Sequence, residues 1–304
     1  MAGTSIWITP VLALSLLAAC GGGGGSDNPA PPGAAPVAPA AAGPGSDSEA
    51  TGGNQPAAQP DPLYASQWHL NNTGQAGDAG PAATAGQDVN VEPVWNGCND
   101  NGSCKGEGVA IAVVDRGVEI AHRDLQPNVS TALASRVYSL AAAPANGDPT
   151  PAQTDRENAH GTAVAGIVAA RDNNGLGGRG VAPRAAITAY ALLQASTSSN
   201  EADAMAFQAR DVAVSNNSWG PADGNGQLSE SNSLWRDAIE FGLASGRNGL
   251  GTIYVWAAGN GHTSGFNERS TYDGYASYRG VIAVGALNAQ GRRASYSEPG
   301  ANVW

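Results

Sequence analysis

From residue 61 onward, short apolar runs alternate with longer segments of helical pattern. Residues 109–114 (VAIAVV), 187–193 (ITAYALL), 212–216 (VAVSN), 252–257 (TIYVWA) and 281–287 (VIAVGAL) are nearly continuous apolar stretches. Strands buried on both faces of a parallel sheet read this way. Helices are predicted between them at 161–171, 201–210 and 234–247, the last ending near Asn248-Gly249. This alternation predicts an α/β domain with a parallel sheet. Functional groups in such sheets gather beyond the carboxyl ends of the strands. Asp115, residues 217–220 and Gly259-Asn260 each come directly after a predicted strand.

The first sixty residues differ in kind. Residues 6–19 (IWITPVLALSLLAA) are apolar but too short for a comfortable membrane span and are interrupted by Pro10. They suit the core of a secretory signal peptide. Residues 17–20, Leu-Ala-Ala-Cys, resemble a bacterial lipoprotein signal, although no Lys or Arg precedes them. That resemblance implies a lipidated Cys20 at the mature N-terminus, with export across the inner membrane and anchoring at the outer membrane or cell surface. Residues 21–60 are rich in Gly, Ala and Pro with almost nothing to bury, and are expected to be a disordered tether whose ends lie roughly 35 Å apart. The expected organisation is therefore a leader at 1–20, a tether at 21–60 and a catalytic-type domain at 61–304.

Composition adds two constraints. A net charge of −11 argues against nucleic acid or an anionic membrane surface as partner. Membrane contact is expected only through the lipid anchor at Cys20. Cys98 and Cys104 flank a short polar loop, CNDNGSC. In an exported protein a disulfide is the expected reading, since no further Cys or nearby His completes a metal site.

Three residues offer chemistry. Asp115 at a strand end can orient a histidine and stabilise its imidazolium. His160, in NAHGTAVAG, opens a helix whose small first-turn residues let it approach the sheet and leave the imidazole facing a cleft. Asn260, between Gly259 and Gly261, can present its amide to a developing oxyanion. Taken alone, each also reads as an ordinary turn or cap residue. His69, His122 and His262 lack such a setting and read as structural.

Together these stretches resemble the subtilisin superfamily, and more closely its kexin-like, proprotein-convertase branch. The order Asp115 then His160, the HGTAVAG run, Ser218-Trp219-Gly220-Pro221, the AAGNG turn, Asp61-Pro62-Leu63-Tyr64, Gln67-Trp68-His69-Leu70 and Tyr272-Asp273-Gly274-Tyr275 carry the resemblance, which runs from about 61 to 304. It implies a three-layer fold with a central, mostly parallel sheet flanked by helices. It also implies a serine endopeptidase in which Asp115 orients His160 and Asn260 stabilises the oxyanion. The family's nucleophile lies in a Gly-Thr-Ser-x-x-x-Pro motif that residues 1–304 do not contain; Ser295 and Ser297 fall too early. The chain is expected to be a truncated product and inactive by itself.

The same resemblance implies calcium. Asp61, Asp124, the Asn174 side chain and the carbonyls of Arg171, Leu176 and Gly178 match one site, and Asp223, Glu268 and Glu298 a second. All are oxygen donors, as calcium takes. Substrate contacts fall on Ser218, Trp219 and Gly220. Asp223 and Asp273 match acids that face a basic P1 side chain, and Glu201 and Glu157 match acids further out. Where the family usually has a second acid after the catalytic Asp, this chain has Arg116, and another outer acid is Ser229. The implied substrate is a protein or peptide cut after Lys or Arg without a dibasic requirement. A second reading, from another class, is a non-catalytic surface lipoprotein using the fold for calcium-dependent binding. A nucleotide-binding α/β protein is disfavoured because the first strand leads into no Gly-rich loop.

Overall fold

The computed structural model describes residues 59–75, 82–97, 104–152 and 157–304. The leader, Cys20, all but the end of the tether, and Cys98 lie outside the described residues. Cys104 is disulfide-bonded.

Seven strands form one sheet: β1 (Ala110–Asp115), β2 (Arg136–Val137), β3 (Ala145–Asn146), β4 (Ala186–Ala191), β5 (Val214–Asn217), β6 (Ile253–Ala257) and β7 (Val281–Val284). Their order is β3-β2-β4-β1-β5-β6-β7, and every pair is parallel except β2 with β3. From β1 the chain runs to β2 and β3 at one edge, returns to β4 beside β1, then crosses to β5 on the other side of β1 and continues outward to β6 and β7. The end of β1, which carries Asp115, is thus the point where the strand order reverses, the usual seat of a site in an open α/β sheet. The helices among the described residues are α1 (Glu92–Asn96), α2 (His160–Ala169), α3 (Ser198–Ala206) and α4 (Ser233–Gly249).

Side-chain caps fix two helix starts. Thr197 accepts from the Asn200 N–H at the head of α3, and Asn232 from the Trp235 N–H at the head of α4. The last turn of α4 breaks at Arg247 and Asn248, both at positive φ, before Gly249. The sequence prediction placed all five long strands and three long helices within a few residues, and left β2, β3 and α1 unassigned. Those three are too short to carry a period.

The two sheet faces are covered unequally. Ala112, Val114, Tyr190, Tyr254, Trp256 and Ala283 pack against Ala204 and Met205 of α3 and Trp235 and Ile239 of α4. On the opposite face Ile111, Val113, Ile187 and Ala189 pack against Val164, Ala165 and Ala169 of α2. Further along that second face, Ile253 is 41% exposed, Ile282 40% and Val284 46%. The expectation of strands buried on both faces therefore holds for β1 and β4 and fails for β6 and β7, because α2 spans only half of the sheet. A continuous apolar run reports what a strand could bury, not what covers it.

The larger core centres on aromatic edges. Trp235 meets Trp256 at 5.4 Å, Tyr275 at 4.9 Å and Tyr278 at 5.4 Å between ring centroids, and Trp219 meets Trp256 at 4.5 Å. Trp235 is fully buried while Phe241, on the same helix, is 48% exposed. Trp235→Ala is expected to destabilise the fold by about 3–5 kcal/mol and Phe241→Ala by under about 0.5 kcal/mol in urea unfolding. Equal effects would show that α4 is packed the other way round.

Candidate active site

Asp115 ends β1 and is fully buried; His160 opens α2 and is 6% exposed. His160 Nδ1 lies 2.8 Å from Asp115 Oδ2, while Oδ1 accepts the Arg116 N–H at 2.7 Å. Glycine makes this approach feasible. A methyl group on Gly161 would overlap the Gly117 carbonyl and press on Asp115, and Gly117 itself sits at φ +135° against Pro149. The small residues of HGTAVAG do bring the helix onto the sheet, as expected. They leave the imidazole more enclosed than a cleft-facing group, since Asp115 and the strand end cover it.

Burial by itself lowers the pKa of His160. The charge of Asp115 and the hydrogen bond to it outweigh that, even against the nearby Arg116 cation, so the net shift is upward. Among the described residues Nε2 has no hydrogen-bond partner. An imidazole held this way on Nδ1 is free to exchange a proton at Nε2.

Asn260 lies just past β6 at the same carboxyl edge. Gly259 before it has φ +100°, and Gly261 after it leaves no room for a side chain beside Glu268. The Asn260 N–H donates to Asp223 Oδ1 at 3.4 Å, and its side-chain amide donates to no group among the described residues. Ser297 is excluded as a reactive hydroxyl, because its Oγ accepts the Ala286 N–H at 2.9 Å inside the fold.

The acids predicted for specificity are brought together unevenly. Asp273 lies beneath Gly220, where an added methyl would stand 3.0 Å from its Oδ2, and it accepts the Tyr275 N–H at 2.7 Å. Burial, partly offset by the Tyr275 and Ala276 N–H groups and reinforced by Asp223, pushes Asp273 up to about 7. Glu201, predicted as an outer acid, shares a cavity with Trp219 and Gly220. It is buried, and its oxygens are taken by Ser196, by Asn232 at 2.6 Å and by Tyr275 at 2.9 Å. It forms the floor of a cavity of ≈ 340 Å³ walled by Trp219, Gly220, Ser229 and Tyr275. Glu157 is not a free acid either, since Arg116 pairs with it. The sequence reading missed Tyr275 and Asn232 as partners of Glu201; Asn232, a polar residue just ahead of a helix, was detectable as a cap.

The structure brings one predicted carboxylate cluster together and places the acids of the other against the same loop. Ligand oxygens of Asp223, Glu268 and Glu298 lie within 4.8 Å of one another. Glu268 accepts the Gly224 N–H at 2.7 Å and the Asn225 N–H at 2.8 Å, and Glu298 accepts the Gly261 N–H at 2.9 Å. Burial, with the charges of Asp223 and Glu268, raises the Glu298 carboxyl despite that N–H. Three desolvated carboxylates in one place suit a hard divalent cation. At the other site Asp61 and Asp124 are buried and converge on the 171–178 loop, where Asn174 donates its N–H to Asp61 at 3.1 Å and its amide to Asp124 at 2.7 Å. Among the described residues the carbonyls of Arg171, Leu176 and Gly178 accept no hydrogen bond, as ligand carbonyls should. An Arg179 ion pair to Asp61 was not foreseen. Of the remaining histidines, His69 is pushed down to about 4 by burial, in keeping with a structural role.

A buried Asp–His pair at the carboxyl edge of a mostly parallel sheet is the arrangement from which nucleophilic hydrolases draw their acid–base chemistry. The chain belongs to the subtilase family, whose profile, described as "Subtilase family", matches residues 106–304. It is 36% identical over 239 residues to a PC3-like endoprotease of Hydra vulgaris, covering 78% of this chain and 31% of that protein. It is 35% identical to the mouse proprotein convertase subtilisin/kexin type 4, covering 80% and 34%, and 34% identical to a dibasic-processing endoprotease of Schizosaccharomyces pombe, covering 78% and 30%. Thus the chain spans about a third of these relatives. Among solved structures, the Aeromonas sobria serine protease in complex with its chaperone superposes with a TM-score of 0.66 at 30% identity, covering 81% of this chain and 42% of that one.

Because the folded pKa of His160 stands above the ordinary 6.5, the pair adds stability below that value and loses it as pH rises through the folded pKa. Histidine ring NMR should show His160 titrating above 6.5. In Asp115→Asn it should fall below 6.5, because burial and the Arg116 cation then act unopposed. An unchanged titration would mean that Asp115 does not govern this histidine.

Proposed function

We propose that this chain supplies the acid–base and oxyanion groups of a calcium-dependent serine endopeptidase that cleaves after Arg or Lys. The hydrogen bond from His160 to buried Asp115, in a subtilase-family chain, carries the reading. Asp115 orients His160, which takes the proton of a serine attacking the scissile carbonyl, and Asn260 donates to the oxyanion that forms. The serine in this reading is that of the family's Gly-Thr-Ser-x-x-x-Pro motif. The Nε2 of His160, which has no hydrogen-bond partner among the described residues, is the atom that would take that proton.

Calcium would be held by Asp223, Glu268 and Glu298, and by Asp61, Asp124, Asn174 and the 171–178 carbonyls, where it would fix the loops that shape the cleft. Asp223 and Asp273 stand as the negative base of the P1 pocket; like-charge repulsion between them falls when a basic side chain enters. By name the mouse relative is a proprotein convertase, the Hydra relative a PC3-like endoprotease and the fission-yeast relative a dibasic-processing endoprotease. Here Arg116, beside the catalytic acid and paired with Glu157, replaces a carboxylate that would welcome a basic P2 residue. Export and lipid anchoring at Cys20 complete the reading.

The test is to express codons 1–304 alone and together with the downstream reading frame, and to assay both products on fluorogenic peptides. A product bearing a Gly-Thr-Ser-x-x-x-Pro motif should cut Ala-Arg and Lys-Arg substrates at comparable rates and lose about 10⁶-fold in turnover in His160→Ala. Arg116→Asp should then favour Lys-Arg by about tenfold or more. A natural stop after codon 304, or wild-type enzyme strongly preferring Lys-Arg, would overturn the corresponding part of the proposal.

A further inference from the structure

Directly after the 171–178 loop comes a cation aimed at the loop's own acids. Arg179 Nε and a terminal nitrogen both lie 2.9 Å from Asp61 Oδ2, and the Asp61 side chain is fully buried. This is not a mobile surface arginine. Its guanidinium stacks on Tyr64 at 3.9 Å from the ring centre, with Trp95 at 5.8 Å. Its backbone is pinned on both sides by Gln67, which accepts the Arg179 N–H at 2.8 Å and donates to the Arg179 carbonyl at 2.9 Å. Arg179 side-chain exposure is only 14%.

The neighbouring acid is treated differently. Asp124 has an amide partner, Asn174, but no ion pair within 4.0 Å among the described residues. One of the two converging carboxylates is thus neutralised from inside the fold and the other is not. Two desolvated carboxylates facing one loop repel each other and need an offsetting cation.

We infer that Arg179 is a built-in counter-cation for Asp61, doing part of the work of a calcium ion, so that this loop folds without metal and binds calcium only weakly. The inference rests on the calcium reading of this loop and goes beyond it. A calcium ion bound by Asp61, Asp124, Asn174 and the free carbonyls meets a fixed positive charge on its own ligand. That repulsion and the competition for Asp61 lower its affinity. The second cluster, Asp223 with Glu268 and Glu298, is built from different residues and does not include Asp61 or Arg179.

The test uses the full 304-residue chain and terbium, a calcium substitute whose emission is sensitised by nearby Trp95 and Tyr64, with calcium competing. Signal from this loop is the part removed by Asp124→Asn, which separates it from the second cluster. Arg179→Met keeps much of the stem over Tyr64 but removes the charge. It should tighten calcium binding at this loop by about tenfold or more. It should also lower the melting temperature in chelator and recover it in calcium, whereas the wild type shifts less between the two. Arg179→Lys, which retains a cation, should stay near wild type in affinity. Equal affinity in wild type and Arg179→Met would make Arg179 a merely structural cation and overturn the inference while leaving the calcium site standing. Failure of Arg179→Met to fold even in calcium would also overturn it, since the metal should replace the lost charge. If Asp124→Asn removes no signal in either background, the calcium reading itself fails and takes the inference with it.

Discussion

The close approach of the first turn of α2 to the end of β1 sets the geometry of the whole site. Asp115 reaches His160 at 2.8 Å only because Gly161 and Gly117 let two backbones nearly touch. The strand gives the acid a fixed, dry position at the point where the sheet order reverses, and the helix start gives the base a fixed direction. A larger residue at either glycine would separate the pair, and a histidine without its carboxylate in so enclosed a place would be neutral and unaligned. Fold and chemistry therefore share one constraint.

Around that pair the molecule concentrates negative charge and then manages it. Asp273 lies beneath Gly220, Asp223 is near enough for its charge to act on it, and Glu268 and Glu298 cluster with Asp223. Backbone N–H groups from glycine-rich turns satisfy many of these oxygens, as at Glu268, but hydrogen bonds do not remove like-charge repulsion. At Glu298 and Asp273 burial together with the charge of Asp223 holds the carboxyl above its ordinary range. At Asp61 the repulsion is relieved from within by Arg179, and Glu157 is paired with Arg116. The same physical problem thus has different solutions within one domain, and the difference decides which acids remain available to a ligand.

Much of this was legible along the chain. The apolar runs located β1, β4, β5, β6 and β7 because a buried strand writes its burial into consecutive residues. Asp115 and Asn260 stood out because each comes just after such a run, and His160 because glycine and alanine behind it mark a helix pressed against something. The residues of both carboxylate sites were legible through ordered motifs. Partnership was not. Nothing in the neighbourhood of Glu157 announces Arg116, 41 positions away, or that Glu201 would turn inward to Tyr275 and Asn232. β2, β3 and α1 were too short for any period to show.

The sequence by itself determined the elements, their order and the identity of the chemical groups, because these depend on local pattern and on residue type. Tertiary structure alone decided which charges meet. Coulombic and hydrogen-bond energies depend on distance and on exclusion of water, and neither is set until distant segments pack. Hence Asp61 could be read as a ligand from its motif, but that it already holds a cation is a fact only of the folded chain.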